Sequence, residues 1–195
     1  GRGAAEVRLE GHVTEILLRQ DYEAGWAQRF IEDILPALLD RRYLRVGDAP
    51  ILLVYRADVI PDIEAVVNTW REHARRHAGI ELHVCAVQSF GVTDPRRYGM
   101  DAAVEFPPHT NRHLLPRDAV KDLVAGFEGY LEDYPAVMRE QLAKPLPGYH
   151  WYRGVMPAWD NTARRGLKAH ILVNSTPDRY QAWLQALVAQ AMGRS

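Results

Sequence analysis

The sequence has little of what marks secreted or membrane-embedded proteins. Its 195 residues include one cysteine, Cys85, so no intrachain disulfide can form, which fits a reducing compartment. No segment approaches the roughly 18–20 consecutive apolar residues that a membrane-spanning helix requires. The first residues do not have the pattern of a signal peptide. We therefore predict a cytoplasmic protein without a membrane span.

The charges are almost balanced, which argues against a nucleic-acid partner. The chain has 24 Lys and Arg against 25 Asp and Glu, giving a formal net charge of −1. Binding to a phosphate backbone needs a basic surface, and the arginine pairs of this chain are scattered along it. A small polar ligand is still compatible with this balance. The length suits one domain or part of a larger one.

Motifs for cofactors and metals are also missing. No predicted strand is followed by Gly-x-Gly-x-x-Gly or by a Walker-type loop, so we predict no cofactor. His73 and His77 have the spacing of metal ligands on a helix, but basic residues surround them. His109 and His113 give a similarly weak signal. We therefore predict no metal, and we expect Cys85 to be a buried apolar residue rather than a nucleophile.

Short apolar runs rich in β-branched residues predict the strands. The runs are nearly continuous rather than alternating, which is typical of strands covered on both faces. The clear ones are 51–56 (ILLVYR), 81–87 (ELHVCAV), 101–106 (DAAVEF) and 153–158 (RGVMPA). Weaker candidates are 15–20 (EILLRQ) and 170–173 (HILV).

Helical periodicity separates these strands. Apolar residues recur at helical spacing in 61–78, in 176–192 and in 23–40, where we expect Pro36 to kink or restart the helix. Strands that alternate with amphipathic helices predict an α/β fold with a parallel sheet. Because no nucleotide-binding loop is found, the remaining common choice is a (β/α) TIM-type barrel.

The barrel is predicted to be incomplete. A complete one needs about 250 residues, which exceeds the length of this chain. In the proline-rich connection 107–152 we predict helices around 117–131 and 134–143 but no strand. We therefore predict a single partial barrel domain over 1–195, made of central βα units with a helical insertion. The open sheet edges of such a domain favour self-association.

Polar and aromatic side chains follow the predicted strands where each ends. In parallel α/β folds these ends converge on one mouth, where ligands bind. Aromatic rings stack on the C–H face of a sugar, and planar acids, amides and guanidinium groups bind its hydroxyl pairs. We therefore predict a sugar as the ligand. The candidate catalytic residues are Glu105 and Asp160, and the candidate substrate-binding residues are Gln20, Tyr22, Tyr55, Arg56, Trp159, Asn161 and Arg164.

Several of these residues also have a simpler structural interpretation. Asp160 can cap the turn that follows it, and Arg164 can pair with Asp160. Asp58 is expected to be structural. The repetition of polar residues at several strand ends favours a function for the cluster as a whole. A small α/β domain with an unrelated ligand stays an alternative.

Taken in order, several segments resemble those of the WbsX-like glycosyltransferase family. The segments are LLRQDY, DRRYLRVGDAPILLVYR, DAAVEFPPH, MPAWDNTARR and NSTPDRYQAWL, which together span about 15–190. Members of that family are bacterial and are associated with O-antigen, the outer part of lipopolysaccharide, and other surface polysaccharides. The family is similar to the endo-α-mannosidase group of glycoside hydrolases, which fold as (β/α)8 barrels. The resemblance therefore implies glycosyl transfer or glycoside hydrolysis, with a glycan or an activated sugar as the ligand.

The resemblance also implies that the chain is truncated at both ends. The sequence starts with Gly1 rather than Met, and the aromatic-rich first strands of the family have no counterpart. The family's Asn-Glu-Trp-x-Glu-Gly motif, which carries the catalytic acids in the related mannosidases, is absent as well. What carries over is a set of residues lining the glycan-facing mouth, namely Gln20, Tyr55, Glu105, Asp160, Asn161 and Arg164. A non-catalytic carbohydrate-binding or decayed barrel fragment is the alternative to an enzyme.

Overall fold

The computed structural model describes residues 7–9, 12–14, 21–109, 113–121 and 123–193. Its strands are β1 (Val7–Leu9), β2 (His12–Thr14), β3 (Arg45–Val46), β4 (Ala49–Val54), β5 (His83–Gln88), β6 (Ala102–Glu105), β7 (Leu114–Leu115), β8 (Tyr130–Asp133), β9 (His150–Tyr152) and β10 (His170–Val173). Its helices are α1 (Trp26–Leu39), α2 (Ile63–Ala78), α3 (Tyr134–Ala143), α4 (Thr162–Arg165) and α5 (Pro177–Met192). The weak strand candidate 15–20, with Gln20, lies outside the described residues.

A five-stranded sheet in the order β3-β4-β5-β6-β9 forms the centre of the fold. The strands β4, β5, β6 and β9 are parallel to one another, and β3 pairs antiparallel with the start of β4. The strands predicted at 51–56, 81–87 and 101–106 correspond to β4, β5 and β6. Their near-continuous apolar composition therefore predicted the parallel sheet correctly.

Helices α1 and α2 cover one face of this sheet. Val67, Trp70 and Ala74 of α2 are buried against Leu52 of β4 and Val84 of β5. The predicted end of α2 is confirmed, because Gly79 takes a left-handed φ of 65° and caps the helix. The helix α1 runs unbroken from Trp26 to Leu39, so Pro36 does not restart it.

The opposite face of β4 is much less covered. Side chains alternate between the two faces of a strand, so Leu53 and Tyr55 point away from the helices that bury Leu52 and Val54. Leu53 is 54% exposed and Tyr55 is 46% exposed, whereas Leu52 is 8% exposed. The face of β4 opposite the helices is therefore open, whereas Cys85 and Val87 of β5 are buried on that side of the sheet.

The prediction for the connection 107–152 was wrong in part. The predicted helix at 134–143 is α3, but 117–131 contains a 3-10 turn at Arg117–Ala119 and then strand β8. The segment contributes β7, β8 and β9, although no strand was expected there. Strand β8 pairs in parallel with β10, the weakest strand candidate. At this junction the Tyr130 amide donates to the Ala169 carbonyl, and a Cβ on Gly129 would lie 1.9 Å from the Ala169 oxygen.

The strand predicted at 153–158 was also wrong, because the strand in this region is β9 at His150–Tyr152. The ladder with β6 ends where the Gly154 amide donates to the Glu105 carboxylate at 3.0 Å instead of to a neighbouring strand. The residues that follow join no ladder until an isolated bridge pairs Asp160 with Ile171. A buried carboxylate therefore ends the strand, and no local pattern reports that contact.

The fold is mixed α/β, with a curled central sheet that resembles half of a barrel. A second core lies beside it, where Tyr134 and Val137 of α3 pack with Trp183 and Leu187 of α5. The Tyr134 hydroxyl donates to the Met156 carbonyl at 2.8 Å and ties this core to the segment after β9. Among the described residues, no helix is long and apolar enough to span a bilayer.

Leu52 and Leu53 offer a matched test of the open face. We expect Leu52→Thr to lower the free energy of unfolding by about 2–4 kcal/mol, because it removes buried apolar volume and buries a hydroxyl. We expect Leu53→Thr to change it by less than about 1 kcal/mol and to reduce self-association. Urea denaturation and light scattering measure the two effects. Equal destabilisation by both variants would show that the two faces are equally covered.

Gly154 and Gly148 test the close contact that ends β9. A Cβ on Gly154 would lie 2.5 Å from the Glu105 carbonyl oxygen, whereas one on Gly148 would have no heavy atom within 4 Å. Gly154→Ala should therefore lower the free energy of unfolding by about 1–3 kcal/mol. Gly148→Ala should change it little, and chemical denaturation compares them. A neutral effect of Gly154→Ala would contradict the described backbone approach.

Candidate functional site

Aromatic residues gather at the carboxyl ends of the central strands. Tyr55 follows β4, Phe90 lies after β5, and Phe106 follows β6. The ring centroids of Tyr55 and Phe106 are 5.4 Å apart, and those of Tyr55 and Phe90 are 6.2 Å apart. Phe106 in turn contacts Trp159 at 6.4 Å. Two of the predicted residues, Tyr55 and Trp159, are thus connected through a ring that sequence reasoning did not select.

A cavity of about 440 Å³ opens beside Tyr55, and we call it the Tyr55 cavity. Three of the predicted residues, Tyr22, Tyr55 and Arg56, line it. Its other walls are mostly aromatic or aliphatic and comprise Asp21, Trp26, Phe30, Leu52, Leu53, Val54, Val59, Ile60 and Trp70. The Tyr22 hydroxyl is buried without a hydrogen-bond partner among the described residues. The cavity therefore combines ring surfaces with a few polar groups.

Arg56 is held at the rim of this cavity. Its guanidinium donates to both carboxylate oxygens of Asp58 at 2.8 Å and lies 4.1 Å above the centre of the Phe90 ring. The ion pair with Arg56 lowers the pKa of Asp58. Asp58 thus has the structural role that the sequence predicted, and it fixes the direction of Arg56.

Glu105 lies on the other face of β6 from Phe106, because neighbouring strand residues alternate. Its side chain is 2% exposed and accepts hydrogen bonds from Lys144 at 2.8 Å and Arg153 at 2.9 Å, besides the Gly154 amide. Arg153 also donates to the Gln141 carbonyl of α3 and to the Gln190 side chain of α5. In the described residues, Glu105 therefore joins strands to helices. Its catalytic role stays a prediction.

Asp160, Asn161 and Arg164 lie on the turn that leads to β10. Asp160 is exposed and accepts hydrogen bonds from the amide and the hydroxyl of Thr162, which lower the pKa of the carboxyl. Asn161 accepts from the His170 amide at 2.8 Å. Asp160 thus caps the turn, as its structural interpretation predicted. Arg164 is exposed on the same turn.

A second cavity was not predicted, and we call it the Lys144 cavity. It has a volume of about 450 Å³ and is lined by Gln88, Phe90, Gly91, Val92, Thr93, Lys144, Pro145, Pro147, Tyr149 and Trp151. The sequence contained a usable signal, because Gln88 and Phe90 directly follow the predicted strand 81–87 and ligand-binding residues are expected at strand ends. Tyr149 and Trp151 were not predicted as site residues, because their segment, 107–152, was expected to be an insertion without a strand.

The remaining reactive residues have structural partners. Cys85 is buried, and burial raises the pKa of its thiol to about 12, so it is not a nucleophile at neutral pH. His73 and His77 stack at 4.1 Å, and His113 pairs with Glu140 at 2.6 Å. Where side chains are described, no three His, Cys, Asp or Glu residues come close enough to hold a metal ion. The His109 side chain lies outside the described residues.

The amino-acid sequence is similar to those of several known proteins. The uncharacterized protein WxcX of Xanthomonas campestris pv. campestris is 34% identical over 188 residues, in both strain B100 and a second strain. That alignment covers 96% of this chain and 27% of WxcX. A glucose-6-phosphate isomerase of Mycobacterium tuberculosis is 24% identical over 202 residues, covering 91% of this chain and 35% of that protein. No solved structure matches the chain.

The chain thus spans about a quarter of the length of the WxcX proteins. A family model described as Glycosyltransferase WbsX matches residues 6–195, which is nearly the whole chain. The segments that resemble that family include Tyr55, Phe106 and Trp159. On this match, the chain belongs to the WbsX glycosyltransferase family.

Proposed function

We propose that this chain forms the sugar-binding part of an enzyme that transfers or hydrolyses glycosyl groups in bacterial surface polysaccharides such as O-antigen. The observation that carries the proposal is the row of rings formed by Tyr55 and Phe106, at the carboxyl ends of β4 and β6, and by Trp159 from the segment after β9. Membership of a glycosyltransferase family supports it. The substrate is a glycan or an activated sugar, and the proposed location is the cytoplasm.

The Tyr55 cavity has the properties that a sugar site requires. Its volume of about 440 Å³ falls in the range of small-molecule sites, roughly 300–1,000 Å³. The rings offer flat apolar surfaces to the C–H faces of a sugar. Arg56 and the unpartnered Tyr22 hydroxyl supply hydrogen-bond donors at its wall. Both groups are positioned before a ligand arrives, which lowers the cost of binding.

The proposed architecture is an incomplete TIM-type barrel that forms a single domain over 1–195. The parallel strands β4, β5, β6 and β9 and the helices α1 and α2 on one face support it. The open face that carries Leu53 and Tyr55 would be the barrel interior. The relatives extend well beyond the matched segment, so the activity of a whole protein of this family is part of the proposal.

Glu105 and Asp160 are the proposed catalytic acids within this chain. Each also has a structural role, because Glu105 joins strands to helices and Asp160 caps its turn. A pair of carboxylates suits an oxocarbenium-like transition state, in which one acts as acid and the other as base or nucleophile. A specific observation favours the alternative of a non-catalytic carbohydrate-binding segment. The Glu105 carboxylate forms ion pairs with Lys144 and Arg153, and the Asp160 carboxylate accepts a hydrogen bond from the Thr162 amide.

Truncation of the rings tests sugar binding. We expect Tyr55→Ala and Phe106→Ala each to weaken binding of α-mannobiose or maltose by about 3- to 10-fold, because stacking contributes about 0.5–1.5 kcal/mol. Isothermal titration calorimetry measures the affinities. Tyr180→Ala is the control, because Tyr180 lies on α5 and lines neither of the two cavities. Binding unchanged in both ring variants, with all proteins folded, would refute the proposed site.

Substitution of the acids in the full-length enzyme separates catalysis from structure. Glu105→Gln should lower the free energy of unfolding by about 3 kcal/mol, since Lys144 and Arg153 lose their counter-charge. Asp160→Asn keeps one acceptor oxygen and should cost less than about 1 kcal/mol. If the acids are catalytic, kcat for glycan turnover falls about 100-fold or more at a temperature where both variants are folded. Wild-type kcat in both would leave them only their structural roles.

A further inference from the structure

We propose that the Lys144 cavity binds an anionic sugar, meaning a hexose that carries a carboxylate or a phosphate group. The inference rests on the sugar-binding function proposed above, but a different cavity and different side chains carry it. The cavity has a volume of about 450 Å³ and is lined by Gln88, Phe90, Lys144, Tyr149 and Trp151 with the loop at 91–93 and two prolines. Rings, an amide and an ammonium group therefore surround one space.

Gln88 fixes the two rings from Tyr149 and Trp151. Its side-chain nitrogen donates to the Tyr149 hydroxyl oxygen at 2.9 Å, and its oxygen accepts from the Trp151 indole at 2.8 Å. The Tyr149 oxygen acts as an acceptor here, so its own proton can be donated to a ligand. Burial raises the pKa of Tyr149, which keeps that proton bound at neutral pH. The guanidinium of Arg153 lies 4.4 Å from the centre of the Trp151 ring and supports it.

Formal charge gives the cavity its preference for an anion. Two cations, Lys144 and Arg153, share the single carboxylate of Glu105, which leaves a formal charge of +1. The Lys144 side chain is 35% exposed, whereas those of Arg153 and Glu105 are 8% and 2% exposed. The ammonium group of Lys144 is therefore the accessible member. It has three donors, and its bond to Glu105 uses one.

Another cation near the cavity does not change this balance. Arg96 lies 5.9 Å from the centre of the Tyr149 ring, but it pairs with Asp94 at 2.7 Å. That pair adds no net charge. An acidic sugar placed in the cavity would stack on Tyr149 or Trp151 and direct its anionic group at Lys144. Neutral sugars would make only the first of these contacts.

Phe90 connects this cavity with the Tyr55 cavity. It has a φ of 48°, is 57% exposed, and lines the Lys144 cavity. The same ring contacts Tyr55 and Arg56 of the first cavity. A bulky residue rarely adopts a positive φ, and such strain commonly marks functional positions. The geometry therefore fits one oligosaccharide that passes Phe90, with a sugar in the Tyr55 cavity and an acidic sugar in the Lys144 cavity.

Calorimetric titration with simple sugars tests the proposal. The probes are glucuronate, glucose 1-phosphate, glucose and inorganic phosphate, each at low and high salt. We expect at least one anionic sugar to bind about 10-fold more tightly than glucose, and we expect salt to weaken that binding. Glucuronate alone would identify a carboxylate sugar, and glucose 1-phosphate alone a phosphorylated one. Equal binding of glucose, or of inorganic phosphate and glucose 1-phosphate, would overturn the proposal.

Variants locate the binding. Lys144→Gln should reduce the affinity for the anionic sugar to that for glucose, and Tyr149→Phe should weaken it about 3- to 10-fold by removing one donor. Lys168→Gln is the matched control, because Lys168 is 58% exposed and only 3.9 Å from Glu128. Thermal denaturation checks that each variant is folded. Anion binding that is unchanged in folded Lys144→Gln would also overturn the proposal.

A further variant separates this inference from the proposed function. Tyr55→Ala should weaken neutral disaccharides about 3- to 10-fold and the anionic monosaccharide less, because Tyr55 does not itself line the Lys144 cavity. If Lys144→Gln has no effect but Tyr55→Ala does, the anionic site fails and the sugar-binding function stands. If the reverse holds, the Tyr55 cavity fails and the anionic site stands.

Discussion

The buried carboxylate of Glu105 is the contact on which the centre of this structure depends. A carboxylate that is 2% exposed is stable only when hydrogen bonds and opposite charges replace its water. Glu105 obtains them from Lys144, Arg153 and the Gly154 amide. These donors come from the end of α3 and from the chain after β9. One side chain of β6 therefore determines where β9 ends and where α3 lies, and Arg153 extends the same network to α5.

The consequence for the site follows from strand alternation. Because Glu105 faces the helices, Phe106 faces the other way and meets Tyr55 and Trp159. The same ion pair holds Lys144, whose side chain is 35% exposed, at its own cavity. Glu105 thus positions one of the residues that line the Lys144 cavity, while its neighbour Phe106 belongs to the ring contacts at Tyr55.

Local patterns predicted the elements whose stability is local. The strands β4, β5 and β6 were predicted from apolar runs, and α2 and α5 from apolar residues at helical spacing. In the structure, Gly79 ends α2, and the Thr176 side chain caps α5 by accepting from the Arg179 amide. The predictions failed where contacts between residues far apart in sequence determine the structure. Lys144 and Arg153 are 39 and 48 residues from Glu105 in sequence. Strand β8 depends on β10 and on the buried pair of Glu132 and His170, so a run ending in two acids gave no strand signal.

Some of the predicted site residues line a cavity, whereas others form local hydrogen bonds. Tyr55 and Arg56 lie at the carboxyl end of β4, as the rule for parallel strand ends predicts, and Tyr22 lines the same cavity. Asp160 and Asn161 instead form hydrogen bonds within and next to their own turn. The position of Phe90 next to Tyr55 depends on a contact between residues that are far apart in sequence. The Ser89 hydroxyl, 1% exposed as a residue, donates to the Tyr55 carbonyl at 2.8 Å. That bond joins the loop after β5, where Phe90 has a φ of 48°, to the end of β4. The backbone segments that carry the Tyr55 and Phe90 rings are therefore tied together through Ser89, and no pattern in the sequence predicts this contact.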